Sequence, residues 1–404
     1  MTATDTSPTG WRRPVVFLML MAVANAFSFA TWVALLNNFA IERVSFTGVE
    51  IGILQSIREI PGFLAFAAVF FLFIMREQTL ALVSLALLGI GTGITGIFPT
   101  EYAFYGTTLL MSIGFHYYET MNQSLALQWF PKGDAARSLG RIISAGAFAT
   151  IAAFGLIFLT WKWFELDFIY VYAVGGTVTL VITLVLATCF PHFKQHVAQR
   201  KELVLRKRYW LYYALTFMSG ARRQIFIVFA GFMMVEKFGY SVAAITAMFL
   251  ANAVFNMFFA PRIGGLIGRF GERKALIFEY IGLILVFAWY AVVDNPWIAA
   301  GLYLVDHAFF ALAIAMKTYF QKIADPADIA PTAGVAFTIN HIAAVGLPVA
   351  LGVVWITNPG SVFLIGSAMA VISLGLSFLI PSNPEPGHEV IWKQKTIASA
   401  APAE

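Results

Sequence analysis

Charge is scarce in this sequence. Its 26 Lys and Arg and 21 Asp and Glu make up 12% of 404 residues, about half the share of a soluble domain. A chain that is also 60% hydrophobic lacks the polar surface an ordinary globule needs. Cysteine is rarer still: Cys189 alone excludes an internal disulfide framework and any cysteine-based zinc site. A Gly-rich phosphate loop ending in Lys and Ser or Thr is missing, so ATP is not an evident energy source. What the chain has in quantity is apolar bulk, with 39 Phe, 10 Trp and a mean hydropathy of +0.79. Such a composition suits lipid-facing surfaces and interfacial belts. The formal charge of +5 could suggest nucleic acid until the basic residues are placed along the chain.

A membrane-crossing helix needs about 20 predominantly apolar residues. Windows of that size predict twelve spans, at 14–37, 49–74, 79–98, 103–129, 139–160, 168–189, 209–235, 241–268, 275–293, 297–319, 332–356 and 362–380. Turn formers separate them, among them Pro99-Thr100-Glu101, Asp294-Asn295-Pro296 and Asn358-Pro359-Gly360. Met1–Arg13 is short and polar and leads into the first span without a cleavage site, so that span is expected to be retained. With the N-terminus inside, Lys and Arg concentrate in the inside loops, and Arg43, Lys162 and Lys237 are left outside. The basic excess therefore reads as a topology signal and not as a nucleic-acid surface.

The predicted fold is an all-α polytopic membrane protein of twelve transmembrane helices in two pseudo-symmetric six-helix bundles. Its parts are an inside tail 1–13, bundles 14–189 and 209–380, a basic linker 190–208 and an inside tail 381–404. The halves carry traces of duplication. Phe130-Pro131-Lys132 closes the fourth span and Phe320-Gln321-Lys322 closes the tenth, and Glu42 and Glu236 precede the second and eighth. Paired six-helix repeats are a transporter architecture with the solute site between the halves.

Between spans 8 and 9 lies Gly264-Gly-Leu-Ile-Gly-Arg-Phe-Gly-Glu-Arg-Lys-Ala-Leu276. This stretch resembles the inside-loop signature of the major facilitator superfamily, approximately Gly-x-Leu-Ala-Asp-Arg-x-Gly-Arg-Arg-x-x-Leu. Gly264, Leu266, Arg269, Gly271, Arg273 and Leu276 match, whereas Gly268 stands where the signature has Asp. The first-half counterpart retains little beyond Arg76. The resemblance, which covers about residues 14–380, implies a secondary transporter with a gating loop at Gly264, Arg269, Gly271 and Arg273. It also implies that helices 1, 2, 4, 5, 7, 8, 10 and 11 line a cavity and 3, 6, 9 and 12 face lipid. The proline-containing fifth-helix signature of antiporters is absent from Gly146–Gly155.

The fourth span concentrates the polar residues. Ser112, His116, Glu119 and Gln123 share one helical face, and ionisable groups at bilayer depth need a partner or a water-filled cavity. Glu59, His116, Glu119, Asp306 and His307 are the candidates for proton coupling, since desolvated carboxyls and imidazoles load and release protons readily. Arg58, Arg222, Arg223 and His341, with Asn25, Trp32, Gln123, Asn252 and Asn256, are the candidates for solute binding. Guanidinium forks match carboxylate or phosphate, so the solute is expected to be small and anionic. Three buried Arg against Glu59, Glu119 and Asp306 would equally satisfy structural ion pairing.

Two other readings stay open. Three midmembrane His with Met233, Met234, Met248 and Met257 could pass a transition metal or a metal chelate, although no Cys-x-x-Cys or repeated Met motif concentrates ligands and no resident metal site is assigned. A membrane-embedded enzyme could use His116 and Glu119 as acid and base, but no nucleophile is evident. No enzyme activity and no cofactor are expected. The expected surroundings are a small-molecule solute, a coupling proton and the lipid bilayer, with no nucleic acid and a monomeric chain. The expected location is a bacterial inner membrane with both termini cytoplasmic.

Overall fold

A computed structural model describes residues 11–129, 132–164, 166–193, 205–325 and 328–392. Among them the regular structure is helical, apart from an isolated bridge between Glu385 and His388. The first half holds α1 (Pro14–Glu42), α2 (Gly48–Phe63), α3 (Ala68–Phe71), α4 (Glu77–Thr95), α5 (Glu101–Trp129), α6 (Lys132–Phe164) and α7 (Phe168–Cys189). The second holds α8 (Trp210–Gln224), α9 (Gly231–Glu236), α10 (Val242–Phe270), α11 (Glu272–Tyr290), α12 (Pro296–Phe310), α13 (Ile314–Ile323), α14 (Ile329–Thr357) and α15 (Pro359–Ser377).

Every predicted window is occupied by helix, but three are interrupted. The second breaks after Phe63, two residues beyond Pro61, whose ring and missing N–H disrupt the ladder. The seventh passes through a π turn, Ile225–Ala230, between α8 and α9, and the tenth through a 3₁₀ turn, Ala311–Ala313, between α12 and α13. Among the described residues seven helical stretches, including the Pro296–Ile323 run through the 3₁₀ turn, are long and apolar enough to cross a membrane. The others are broken or diluted by polar residues, as α5 is between Ser112 and Gln123, so the twelve-span count is not one of twelve unbroken apolar helices. α1 and α9 end at Glu42 and Glu236, the equivalent positions of the two halves. Phe130 and Pro131 of the other repeat trace lie outside the described residues.

The helix starts follow from local chemistry. Pro14 and Pro359 occupy first-turn positions, where a missing N–H costs nothing. Thr47 and Glu50 form a capping box, with the Thr47 N–H donating to Glu50 Oε2 at 2.8 Å. Asp167 accepts from the Ile169 N–H at 3.1 Å and pairs with Arg43, which joins the start of α7 to the end of α1. Gly271 has φ +83 between α10 and α11, a conformation that L side chains rarely adopt. The signature glycine of that loop is thus a backbone requirement.

The chain forms two compact units, the first taking Met1–Arg200, Gly231–Val254 and Pro348–Ile356 and the second the remainder. The first unit packs through small residues. A Cβ on Gly176 of α7 would lie 2.4 Å from the Gly89 carbonyl oxygen and 2.5 Å from Gly93 Cα of α4, and one on Gly114 of α5 would lie 2.3 Å from the Leu88 nitrogen. Backbones approach this closely only where side chains are absent, as is usual in membrane bundles. At one end, segments of the second half are knitted to α1 and α2. Gly52 meets the Pro348 carbonyl, Gly48 meets the Trp355 ring, Trp355 Nε1 donates to Glu236 at 2.8 Å, and Asn38 Nδ2 donates to the Tyr240 carbonyl at 2.8 Å.

In the second unit Gly366 of α15 receives the Phe287 ring of α11. After α15 the chain turns back instead of trailing away as the sequence suggests. Val390 is fully buried, Tyr319 of α13 donates to the Glu389 carbonyl at 2.6 Å, and Trp210 stacks on Trp392 at 6.4 Å. Residues 393–404 and most of the 190–208 linker lie outside the described residues. Outward-facing apolar stripes recur at helical spacing, with Tyr170, Val174, Val181 and Leu184 on α7 and Phe278, Ile281, Leu285 and Trp289 on α11. Faces of this kind need an apolar solvent.

Candidate functional site

In the first unit the polar residues converge where α2 passes α5. Arg58 and Glu59 are 8% and 5% exposed and pair with each other. Arg58 Nε also donates to Gln55 Oε1 at 2.7 Å, and its Cζ lies 6.0 Å from the Trp32 ring centroid. Ser112 donates to the Arg58 carbonyl and lies 3.0 Å from His116 Nδ1. That imidazole is 3% exposed, and it and the Glu59 carboxylate offer atoms within 4.8 Å of each other. Phe115 packs edge-on to His116 at 5.0 Å and stacks on Phe29 of α1 at 4.3 Å. An acid, a guanidinium and an imidazole thus share one enclosed site.

The predicted stripe on α5 divides at this point. Ser112 and His116 are buried, whereas Glu119 and Gln123 are exposed. Tyr105 reaches the Glu50 carbonyl and Ser112 the Arg58 carbonyl, so the two helices run parallel in a register that ends α2 opposite residue 117. Beyond it α5 has lost that neighbour. Helical spacing put the four residues on one face but could not show how much of that face was covered. Asn25 Oδ1, Trp32 Nε1 and both amide atoms of Asn252 are buried without a protein partner. Ser28, by contrast, turns to α7 and donates to Thr179 at 2.8 Å. The Asn256 side chain lies outside the described residues, and Gly264 falls within α10.

In the second unit Arg222 is fully buried, in contrast to the solute-facing position expected for it. Its guanidinium donates to Glu279 of α11 at 3.1 Å and Ser373 of α15 at 3.3 Å, and lies over the Tyr280 ring at 4.9 Å. Arg223, one residue and about 100° further round the helix, is exposed. Asp306 is fully buried near this group. His307 turns toward the Tyr303 carbonyl at 3.2 Å and the Phe226 ring at 5.0 Å. His341 contacts the Phe337 carbonyl at 2.8 Å. Neither Glu279 nor Ser373, the partners of Arg222, was among the predicted site residues.

The loop between α10 and α11 leaves Arg269 exposed and Arg273 half-buried. Its buried acid is Glu272, held by Lys322 of α13 at 2.7 Å. The signature's missing Asp at Gly268 therefore leaves the loop with an acid four residues later. A second charged clamp precedes α14: Arg206, Arg208 and Tyr209 converge on buried Asp328, with Arg206 Nη2 donating at 2.8 Å and the Tyr209 hydroxyl at 2.9 Å. The Arg206 hydrogen bond holds the Asp328 carboxyl below the usual carboxylate range. A carboxylate depressed in the fold adds stability above its unfolded value of about 3.9, lost as pH falls toward the folded value. Asp328→Ala is accordingly expected to cost about 1–3 kcal/mol at neutral pH and progressively less as pH falls below about 3.9. Thermal unfolding in detergent against pH checks both.

Solved structures that share this fold include several transporters. "Crystal structure of nucleoside transporter NupG" superposes with a TM-score of 0.74 at 18% identity, covering 90% of this chain and 98% of that one. An inward-facing, occupied bacterial homologue of the human lysosomal transporter Spinster gives 0.73 at 14%, covering 92% and 97%. An auto-inhibited POT family peptide transporter gives 0.71 at 12%, covering 93% and 99%. No curated protein matches the sequence. The sequence model of the Major Facilitator Superfamily matches residues 14–348. With helices in all twelve predicted windows and enclosed charges in both units, this chain belongs to the major facilitator superfamily of membrane transporters.

Proposed function

We propose that this chain is a secondary active transporter that moves a small polar solute by alternating access and couples that movement to protons. The carrying observation is the enclosed Arg58, Glu59 and His116 group of the first unit. Buried acids and imidazoles exchange protons when solvent access changes, and such groups within spans commonly mark ion pathways. Asn25, Trp32 and Asn252 supply buried polar atoms that a solute can satisfy. Arg58 and Arg222 are engaged by Glu59 and Glu279. In this reading halves 14–189 and 209–380 rock about the site. The chain acts as a monomer in a bacterial inner membrane with both termini cytoplasmic.

The test uses purified protein in vesicles, with a solute found by thermal shift against carboxylates, nucleosides and peptides. His116→Asn is expected to keep solute exchange across the membrane and lose at least about tenfold in accumulation driven by a pH gradient. Exchange needs no net proton movement, and accumulation does. Unchanged accumulation by both His116→Asn and Glu59→Gln would overturn the assignment.

A further inference from the structure

The outward apolar surface of each unit ends in the same order of side chains. In the first unit the stripe of α7 runs through Val174, Val181 and Leu184 to Phe190, the residue that closes the helix. Trp11 meets that ring edge-on at 5.0 Å and stays 52% exposed. Arg12 Cζ lies 5.6 Å from the Trp11 ring centroid, and Arg12 and Arg13 are both exposed. In the second unit the stripe is Leu364, Val371 and Phe378 of α15. Past it the chain folds back, and the Ile391 N–H donates to the Leu379 carbonyl at 2.9 Å. That bond returns Trp392 to the end of the stripe, where it stacks on Trp210 and is 50% exposed. The Trp210 N–H closes a 3₁₀ turn on the Lys207 carbonyl. Residues three apart in such a turn eclipse one another, so exposed Lys207 shares a face with Trp210.

The cations in these places have no acid to answer them. Among the described residues Arg12, Arg13 and Lys207 enter no ion pair. Arg206 and Arg208 differ, since both are drawn to Asp328 and Asp325 also acts on Arg206. An apolar stripe, a half-exposed tryptophan and then an uncompensated cation match a phospholipid read from tail to phosphate. Acyl chain covers the stripe, indole sits at the interface, and Lys or Arg reaches the headgroup. A zwitterionic headgroup brings its own cation, so the excess positive charge favours a lipid with net negative charge. Topology alone asks for Lys and Arg anywhere in these loops. It does not ask that they stand beside a tryptophan docked against the end of the last helix, and both units have that arrangement.

We propose that each unit binds the headgroup of an anionic phospholipid, at Trp11 with Arg12 and Arg13 in the first and at Trp210, Trp392 and Lys207 in the second. The leaflet is the cytoplasmic one in the orientation proposed above, and nothing else in the proposal rests on that reading.

Thermal unfolding of the full chain in detergent, with phosphatidylglycerol or phosphatidylcholine added, tests the proposal. Phosphatidylglycerol is expected to raise the melting point by several degrees more than phosphatidylcholine, because a ligand held by the folded form stabilises it. Arg12→Gln with Arg13→Gln should remove part of that difference, Lys207→Gln another part, and the triple variant nearly all of it. Arg141→Gln with Lys274→Gln removes two exposed charges outside both clusters and should keep it. Equal shifts from the two lipids overturn the proposal, and so does an equal loss in the Arg141 and Lys274 variant, which would reduce the effect to diffuse attraction. An equal shift from inorganic phosphate would overturn the lipid assignment in favour of a soluble anion. Native mass spectrometry of the unmodified protein needs no variant to fold: retained phosphatidylglycerol is expected, and retention no greater than that of phosphatidylcholine overturns the proposal. Neither measurement involves transport, so their failure leaves the His116 test standing.

Discussion

Arg222→Ala is expected to destabilise the protein by about 3–5 kcal/mol at neutral pH, because it strands two buried carboxylates without their counter-charge. The guanidinium also fills space over the Tyr280 ring and bonds Ser373, so packing adds to the loss. Protonation can neutralise the stranded acids. The deficit should therefore shrink as pH falls, and thermal or SDS-induced unfolding of the purified protein at pH 5 and pH 8 would read that slope. Arg222→Met combined with Glu279→Met removes both members of the pair and should recover most of the loss, since an apolar replacement of similar volume is often neutral or better. Arg223→Ala is the internal comparison. That side chain is exposed, and its removal should change stability by no more than about 0.5 kcal/mol. Equal losses for the two adjacent arginines would mean that the buried pair does not stabilise the fold.

Gly176→Leu should abolish the folded protein or reduce its yield severely. The obstruction is backbone: the new Cβ would meet the Gly89 carbonyl oxygen at 2.4 Å and Gly93 Cα at 2.5 Å, and neither can swing aside as a side chain can. Relief requires α4 and α7 to separate, which forfeits the dispersion contacts along their crossing, the main source of helix association in lipid. Overpacking typically costs about 1–3 kcal/mol and more where the backbone must move. Gly155 of α6 provides the contrast, since nothing lies within 4 Å of a Cβ there. Gly155→Ala should be neutral or stabilising by up to about 1 kcal/mol, the gain from removing a helix-interior glycine. Folded yield and melting temperature of the two variants give the comparison, and a well-folded Gly176→Leu protein would show that the crossing is not tight.

Much of the architecture was legible in advance for simple reasons. Apolar run length shows where helix can lie in a bilayer, and 168–189 matches α7 without adjustment because apolar sequence and turn residues agree at both ends. Pro61 marked a break that the window 49–74 passed over, since hydropathy does not sense a missing N–H. The 3₁₀ break at Ala311–Ala313 carries no proline or glycine, and nothing in the sequence announced it. Membership of the superfamily was readable from Gly264–Leu276 because a turn with φ +83 at Gly271 constrains sequence tightly.

The candidate site was legible only as an inventory of costly charges. Low dielectric guarantees that Arg58, Glu59, His116, Arg222 and Asp306 need partners or water, and that much follows from sequence and the cost of burial alone. Which partner each one takes depends on how helices rotate about their axes and pair across long separations. Arg222 finds Glu279 at a separation of 57 residues and Ser373 at 151, and no local periodicity encodes either distance. The sequence by itself therefore determined the membrane environment, the helical windows, the family and the identity of the ionisable groups. Tertiary structure alone decided that Arg222 is a buried counter-ion while Arg223 stays exposed. It also decided that His116 is enclosed while Glu119 is not, because enclosure depends on the helix packed alongside and not on the helix that carries the residue.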